Sequence, residues 1–220
     1  MHIEEAKWLS VVLNDNLSSL SPLLNLGSST KTYRSIYQSF IDDLIFNPLE
    51  NKAVKVLHSD LKEDEGVDLI GDITFSEFRS EVKSYQPQSV LCSNLLEHVI
   101  DRESMASSIM DVLPVKGLVY ITVPYKYPKH MDPIDTMFRP SPEELKFLFK
   151  NTEIIASEII SVGSVFSSVI KSPFELVRMI ARSFIPFYKY DGWLTTINKL
   201  GWMFRCREVT CVVLRKIDSK

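Results

Sequence analysis

The run GLVYITVP, Gly117 to Pro124, constrains this chain more than any other stretch. Leu, Val, Tyr, Ile, Thr and Val follow one another without the polar alternation of a half-exposed strand, and Pro124 ends the run. A strand that is apolar on both faces has to be covered on both faces, which is the situation inside a parallel sheet flanked by helices. The other segments supply partners. PLLNL (Pro22–Leu26), AVKVLHSDL (Ala53–Leu61), GVDLIGDIT (Gly66–Thr74) and the Val90–Cys92 part of PQSVLCSNLLEHV read as strands, as do EIIASEIISV (Glu153–Val162) and REVTCVVLRK (Arg207–Lys216).

Helical patterns lie between them. Ala6, Leu9, Val12, Leu13 and Asn16 fall near helical spacing and predict an amphipathic helix over Glu4–Leu17. Ser29 or Thr30 is placed to cap a helix through Tyr33–Phe46, and a helical pattern begins near Asn94. Ser141, Pro142 and Glu144 spell a capping box with proline at the first helical position. Alternation of this kind predicts one α/β domain over 1–220: a Rossmann-like, seven-stranded, mostly parallel sheet with helices on both faces. At 220 residues, 45% hydrophobic and 24% charged, the chain can fill such a core.

Residues 166–207 stand apart as a helical insertion or cap before the last strand. The segment is rich in Phe, Trp, Ile and Met and carries seven Lys or Arg against two acids. One helix is bracketed by Pro173 and Pro186, and DGWLTTINKLGWMF (Asp191–Phe204) suggests another. Bases interleaved with Phe184, Trp193 and Trp202 suit peripheral contact with an anionic membrane or a lipid-linked acceptor. A lid, or a cap that forms a homodimer, is the other expectation.

Elsewhere the bulk properties exclude. A net charge of -3 gives no reason to expect a nucleic-acid partner. The three cysteines form no CxxC pair and no zinc pattern, so free thiols, a reducing compartment and no metal are expected. With acids in MHIEEAKWLS and no apolar run near the roughly 20 residues of a membrane span, a cytoplasmic location is expected.

Ligands of an open parallel sheet bind beyond the carboxyl ends of its strands, where the strand order reverses. The residues just after the predicted strands are therefore the candidates. In LLNLGSS, Gly27 permits a tight turn and close approach of the backbone. Ser28, Ser29 and Thr30 then present N–H groups and hydroxyls suited to a carboxylate or phosphate. Asp60 ends the second strand, where an acid accepts hydrogen bonds from ribose hydroxyls; a charged surface position is the alternative. Asp72 can accept from an exocyclic amine while Ile73 packs on a purine face, or Asp72 can simply cap a helix. Ser93, Asn94, Glu97 and His98 follow the fourth strand. Being adjacent, Glu97 and His98 would diverge on a helix.

Together these stretches resemble the class I S-adenosylmethionine-dependent methyltransferases, in particular the type 11-like branch. LLNLGSS looks like a reduced form of that family's glycine motif, with Asn25 where an acid is usual and Ser29 in place of a second glycine. GVDLIGDIT is similar to its acidic third-strand turn, SVLCSNLLEHVID to its LEHV segment, VKGLVYITVPY to its fifth strand, and HMDPIDTMFRPSPEELKFLF to the stretch that follows. The likeness runs from about Leu23 to Ile160, with the final strand also fitting.

The resemblance implies S-adenosylmethionine as cofactor and methyl transfer to an oxygen or nitrogen of a small-molecule or glycan acceptor. By position it implies cofactor contacts at Asn25, Gly27, Ser28, Asp60, Leu61, Asp72, Ile73, Ser93 and Asn94. His98 and His130 are the candidate bases, because imidazole titrates near neutrality. Asp132, Asp135 and Arg139 are candidates for a polar acceptor, with an Arg139–Asp135 structural ion pair as the alternative. A degenerate, non-catalytic cofactor-binding or interaction protein of the same fold is the competing expectation. A nicotinamide-dependent enzyme would need the glycines that are missing.

Overall fold

The computed structural model describes residues 1–129, 134–164, 166, 173–183 and 190–218. Seven strands form one sheet: β1 (Leu23–Leu26), β2 (Val56–Asp60), β3 (Leu69–Ile70), β4 (Ser89–Ser93), β5 (Leu118–Pro124), β6 (Thr152–Ser164) and β7 (Cys206–Lys216). Their spatial order is β3-β2-β1-β4-β5-β7-β6. β1, β2, β3, β4 and β5 pair in parallel, whereas β7 is antiparallel to both β5 and β6. The sheet is thus mixed, with four of its six pairings parallel, so the mostly parallel expectation holds for β1–β5 and the antiparallel pairings are confined to β7. The end of β6 at Ser164 pairs with the start of β7 at Cys206, so β7 runs against β6.

Every residue of β5 is buried, as GLVYITVP predicts. Leu118 and Tyr120 enter one core with Leu23, Leu91 and Val213, beside Ala6, Leu9, Val12 and Leu13 of α1 (Ile3–Asp15). Val119, Ile121 and Val123 enter the other with Leu24, Val90, Cys92 and Leu214. That core is closed by α3 (Ser76–Ser84), α4 (Arg102–Val112) and α5 (Pro142–Leu148). Helices therefore cover both faces. Ser141 and Glu144 form the predicted capping box at α5, with the Glu144 N–H 3.2 Å from Ser141 Oγ.

Three local expectations change. Residues 33–46 form two π-helical turns, Tyr33–Tyr37 and Asp42–Phe46, before the short α2 (Asn47–Glu50). The third strand shrinks to Leu69–Ile70. No α-helix begins at Asn94. Asn94 takes a left-handed backbone (φ 49), a single 3-10 turn spans Leu96–His98, and α4 starts only where Asp101 accepts the Ser104 N–H at 3.0 Å. Leu96 is drawn into the core by that detour, and Asp101 supplies the N-cap that Asn94 does not.

The insertion supplies α6 (Pro173–Ser183) and α7 (Tyr190–Gly201). The Trp193 indole donates to the Ser183 carbonyl at 2.9 Å and joins them.

Candidate functional site

The chain runs outward from β1 through β2 to β3, then crosses back to β4 and β5 on the other side of β1. At that reversal, beyond the carboxyl ends of the strands, lies a cleft of about 1060 Å³. Asn25, Gly27, Ser28, Asp60 and Leu61 line one side of it. Asp72, Ile73, Ser93, Asn94 and His98 also line it. The nine residues that the resemblance implies as cofactor contacts thus share one cavity with His98.

The first turn is built differently from the expectation. Gly27 has φ +72, which favours glycine, and a Cβ there would stand 3.1 Å from Leu95 Cδ1, so a side chain would also have to displace Leu95 slightly. The amides of Gly27 and Ser28 both donate to the Ser59 carbonyl at 2.9 Å, and the Ser29 amide donates to Asp60 Oδ2 at 2.8 Å. These N–H groups close the turn against β2 instead of pointing into the cleft, which corrects the reading of 28–29 as an open anion cradle. Arg34, which sequence reasoning missed, secures the other edge. Its buried guanidinium donates to the carbonyls of Ser28 (3.1 Å), Ser29 (2.8 Å) and Gly66 (3.0 Å), and its Nε lies 3.8 Å from Asp42. Thr30 caps the next turn, accepting the Tyr33 N–H at 3.1 Å.

Asp60 Oδ1 accepts the Leu61 N–H at 2.8 Å, while Asp72 Oδ1 accepts the N–H and hydroxyl of Thr74 at 2.9 and 2.8 Å. Both carboxylates are therefore oriented by the backbone at the cleft wall. Asn25 pairs with His58: Nδ2 stands 3.0 Å from Nδ1. Burial, with the Arg34 charge nearby, pushes the His58 imidazole down to about 4, so it is neutral at pH 7. A neutral amide at position 25 matches a neutral imidazole at 58.

A second cavity of about 240 Å³ shares Met1, Tyr33, Asn94 and His98 with the cleft and extends to His2, Glu97 and Tyr127. Behind it, Glu5 of α1 is fully buried. Its Oε1 accepts from Thr122 Oγ1 (2.6 Å), Asn94 Nδ2 (2.5 Å) and Ser93 Oγ (3.3 Å). Glu5 thereby ties α1 to the ends of β4 and β5. His2 Nε2 lies 3.0 Å from the Tyr127 hydroxyl, and burial lowers its pKa. His98 donates from Nδ1 to the Ile134 carbonyl, which orients its ring between the two cavities.

Glu97 is the most unusual group here. It is 1% exposed, its Oε2 has no hydrogen-bond partner among the described residues, and burial pushes its carboxyl up to about 7. The sequence contained the signal, an acid following two leucines shortly after a buried strand. Only the detour that replaces the predicted helix turns it inward.

Asp135 and Arg139 pair with each other through two contacts, 3.1 and 2.7 Å, with side chains 0% and 11% exposed. They line neither cavity, and the ion-pair alternative describes what they do. Of the remaining candidates, His130 and Asp132 lie outside the described residues, as does Phe184. Among the described residues no cluster of potential metal ligands occurs, and no helix is long and apolar enough to cross a membrane. Cys92, Cys206 and Cys211 are free thiols.

The chain matches no protein-family model and no curated protein. Solved structures do match it. It is similar to coclaurine N-methyltransferase bound to N-methylheliamine and S-adenosylhomocysteine, with 16% identity, a TM-score of 0.56 and coverage of 96% of this chain and 72% of that one. It is also similar to a SAM-dependent methyltransferase from Archaeoglobus fulgidus, with 12% identity, a TM-score of 0.54 and coverage of 96% and 94%. A third match is the [4+2]-cyclase SpnF, with 12% identity, a TM-score of 0.51 and coverage of 97% and 81%. The chain therefore has the fold of the SAM-dependent methyltransferases. Because one fold hosts several chemistries, the activity must be argued from the site.

Proposed function

We propose that the protein is an S-adenosylmethionine-dependent methyltransferase acting on an oxygen or nitrogen of a small-molecule acceptor, a glycan hydroxyl being one such group. The observation that carries this reading is the convergence of the Gly27 turn, Asp60, Asp72 with Ile73, and Ser93 with Asn94 on one cleft at the reversal of strand order. The residues present fit the adenosyl part of the cofactor. Asp60 would accept from the ribose hydroxyls, Asp72 from the exocyclic amine, and Ile73 and Leu61 would flank the purine. Gly27, whose positive φ favours a residue without a side chain, would lie along the methionyl part. When bound, the cofactor supplies a methyl carbon made electrophilic by the adjoining sulfonium. The protein's own work is then to hold the acceptor in line and to remove a proton. Ser93 and Asn94, braced by Glu5, border the acceptor side, and His98 stands at the mouth of the smaller cavity.

A second reading, a degenerate relative that binds without transferring, is favoured by one observation. The turn amides of Gly27, Ser28 and Ser29 are already bonded within the protein.

Calorimetry with S-adenosylmethionine, S-adenosylhomocysteine and NAD decides among these. Both adenosyl compounds should bind and NAD should not. Asp60→Ala should weaken S-adenosylhomocysteine by about 1–3 kcal/mol. Binding without transfer to any hydroxyl or amine in a broad panel selects the second reading. No adenosyl binding, or methyl transfer unaffected by Asp60→Ala, refutes the proposed pocket.

A further inference from the structure

We propose that the smaller cavity receives the nucleophilic end of the acceptor and that Glu97 is the group that takes its proton, which restricts the acceptor to a hydroxyl or an amine still carrying hydrogen. The proposal rests on the methyl-transfer reading above.

Position comes first. The smaller cavity opens from the cleft through Asn94 and His98, past the residues assigned to the reacting end of the cofactor. Asp60 and Asp72 line the cleft and not the smaller cavity, whereas Asn94 and His98 line both.

Chemistry comes second. A carboxylate in a protein interior is normally satisfied by donors, because leaving it unpaired is costly. Glu97 Oε2 has none among the described residues. The surrounding groups answer it only in part. Arg139 is committed to Asp135 through two contacts. His98 Nε2 is 4.0 Å from Glu97 Oε1, and its Nδ1 serves the Ile134 carbonyl. Glu5 from α1 and Asp135 from the opposite side both oppose the charged form, Arg139 favours it, and His2 faces the cavity with a lowered pKa. A carboxyl titrating near pH 7 can receive a proton at neutral pH and return it to water afterwards.

The backbone of Glu97 is fixed for the task. Its carbonyl accepts the Thr136 N–H at 3.0 Å and the Thr136 hydroxyl at 2.9 Å. A hydroxyl or N–H donor supplies the hydrogen bond that Oε2 lacks; a tertiary amine or a thioether does not. An electron pair of the acceptor oxygen or nitrogen would form the bond to the methyl carbon as the carbon–sulfur pair returns to sulfur, and the acceptor's proton would pass to Oε2, during the transfer for a hydroxyl and from the resulting ammonium for an amine.

The test uses sinefungin, an analogue with an amine where the transferable methyl would be, against S-adenosylhomocysteine, which has neither. Calorimetry is run at pH 6 and pH 8 on the wild-type chain and on Glu97→Gln. Wild-type preference for sinefungin should rise between pH 6 and 8 as Glu97 ionises. Glu97→Gln should lose about tenfold or more of sinefungin affinity at pH 8 and keep its affinity for S-adenosylhomocysteine. An unchanged preference in Glu97→Gln overturns the role of Glu97 and leaves the methyl-transfer reading standing. Absence of S-adenosylhomocysteine binding to the wild-type chain overturns the reading beneath it. Should Glu97→Gln fail to fold, the wild-type pH dependence decides: a preference that does not change between pH 6 and 8 refutes the proposal.

Discussion

Glu5→Ala should be among the most damaging single changes at this site, because Glu5 serves both the capping box of α1 and the ends of two strands. Its Oε1 collects three side-chain donors, and its Oε2 lies 3.2 Å from the His2 N–H. Hydrogen bonds to a charged group contribute about 1.5–3 kcal/mol each. The losses will not add fully, because the Ser93 and Thr122 hydroxyls are already 2.7 Å apart and satisfy each other in part. Asn94 Nδ2 retains only weaker contacts with Ser93 Oγ at 3.2 Å and Thr122 Oγ1 at 3.5 Å. The net expectation is about 3 kcal/mol, against roughly 5–15 kcal/mol for the stability of an ordinary domain. Urea unfolding should show the midpoint falling by about 1 M at an m-value of a few kcal/mol/M. S-adenosylhomocysteine affinity should fall as well, because Ser93 and Asn94 lose their brace. Glu5→Gln, which keeps an acceptor oxygen in place, should recover more than half of the loss. A cost below about 1 kcal/mol, or equal costs for the two variants, would refute the argument that this carboxylate organises the strand ends.

Two further perturbations follow from the same geometry. Arg34→Met removes the contacts to the Ser28 and Ser29 carbonyls and the one that links the turn to Gly66; it should destabilise by about 2–4 kcal/mol and raise amide exchange in that turn, measured by hydrogen–deuterium exchange. His58 binds its proton about 2.5 pH units less readily in the fold than its ordinary value of 6.5. The unfolded chain therefore takes up the proton first, so the contribution is complete above pH 6.5 and is lost as the pH falls toward 4, by about 3 kcal/mol. Urea midpoints between pH 7 and 4.5 should show this slope in the wild-type chain and a shallower one in His58→Gln; equal slopes would remove His58 from the account.

Much of the architecture is written in local sequence. An eight-residue apolar run demanded cover on both faces, and the periodicity of Ala6, Leu9, Val12 and Leu13 supplied a helix able to give it. Ser141 with Glu144 marked a helix start because a capping box is made within four residues. The acids after the second and third strands were legible as cleft residues for the same reason, since the end of a strand is a local feature and the reversal rule does the rest. Local sequence did not decide where two or more distant segments compete for one group. The turn at Gly27 has donors, yet Ser59 and Asp60, about thirty residues on, claim them. Asn94 belongs to a helical pattern, yet Asp101 caps better and the core takes Leu96. Glu97 is an ordinary acid until the detour buries it, and Glu5 is an ordinary helix-face acid until Thr122, 117 residues away, donates to it. Desolvation and charge pairing depend on every segment that packs around a group. For that reason the cleft's location was readable from the chain, while the protonation and bonding of the groups inside it belong to the tertiary structure.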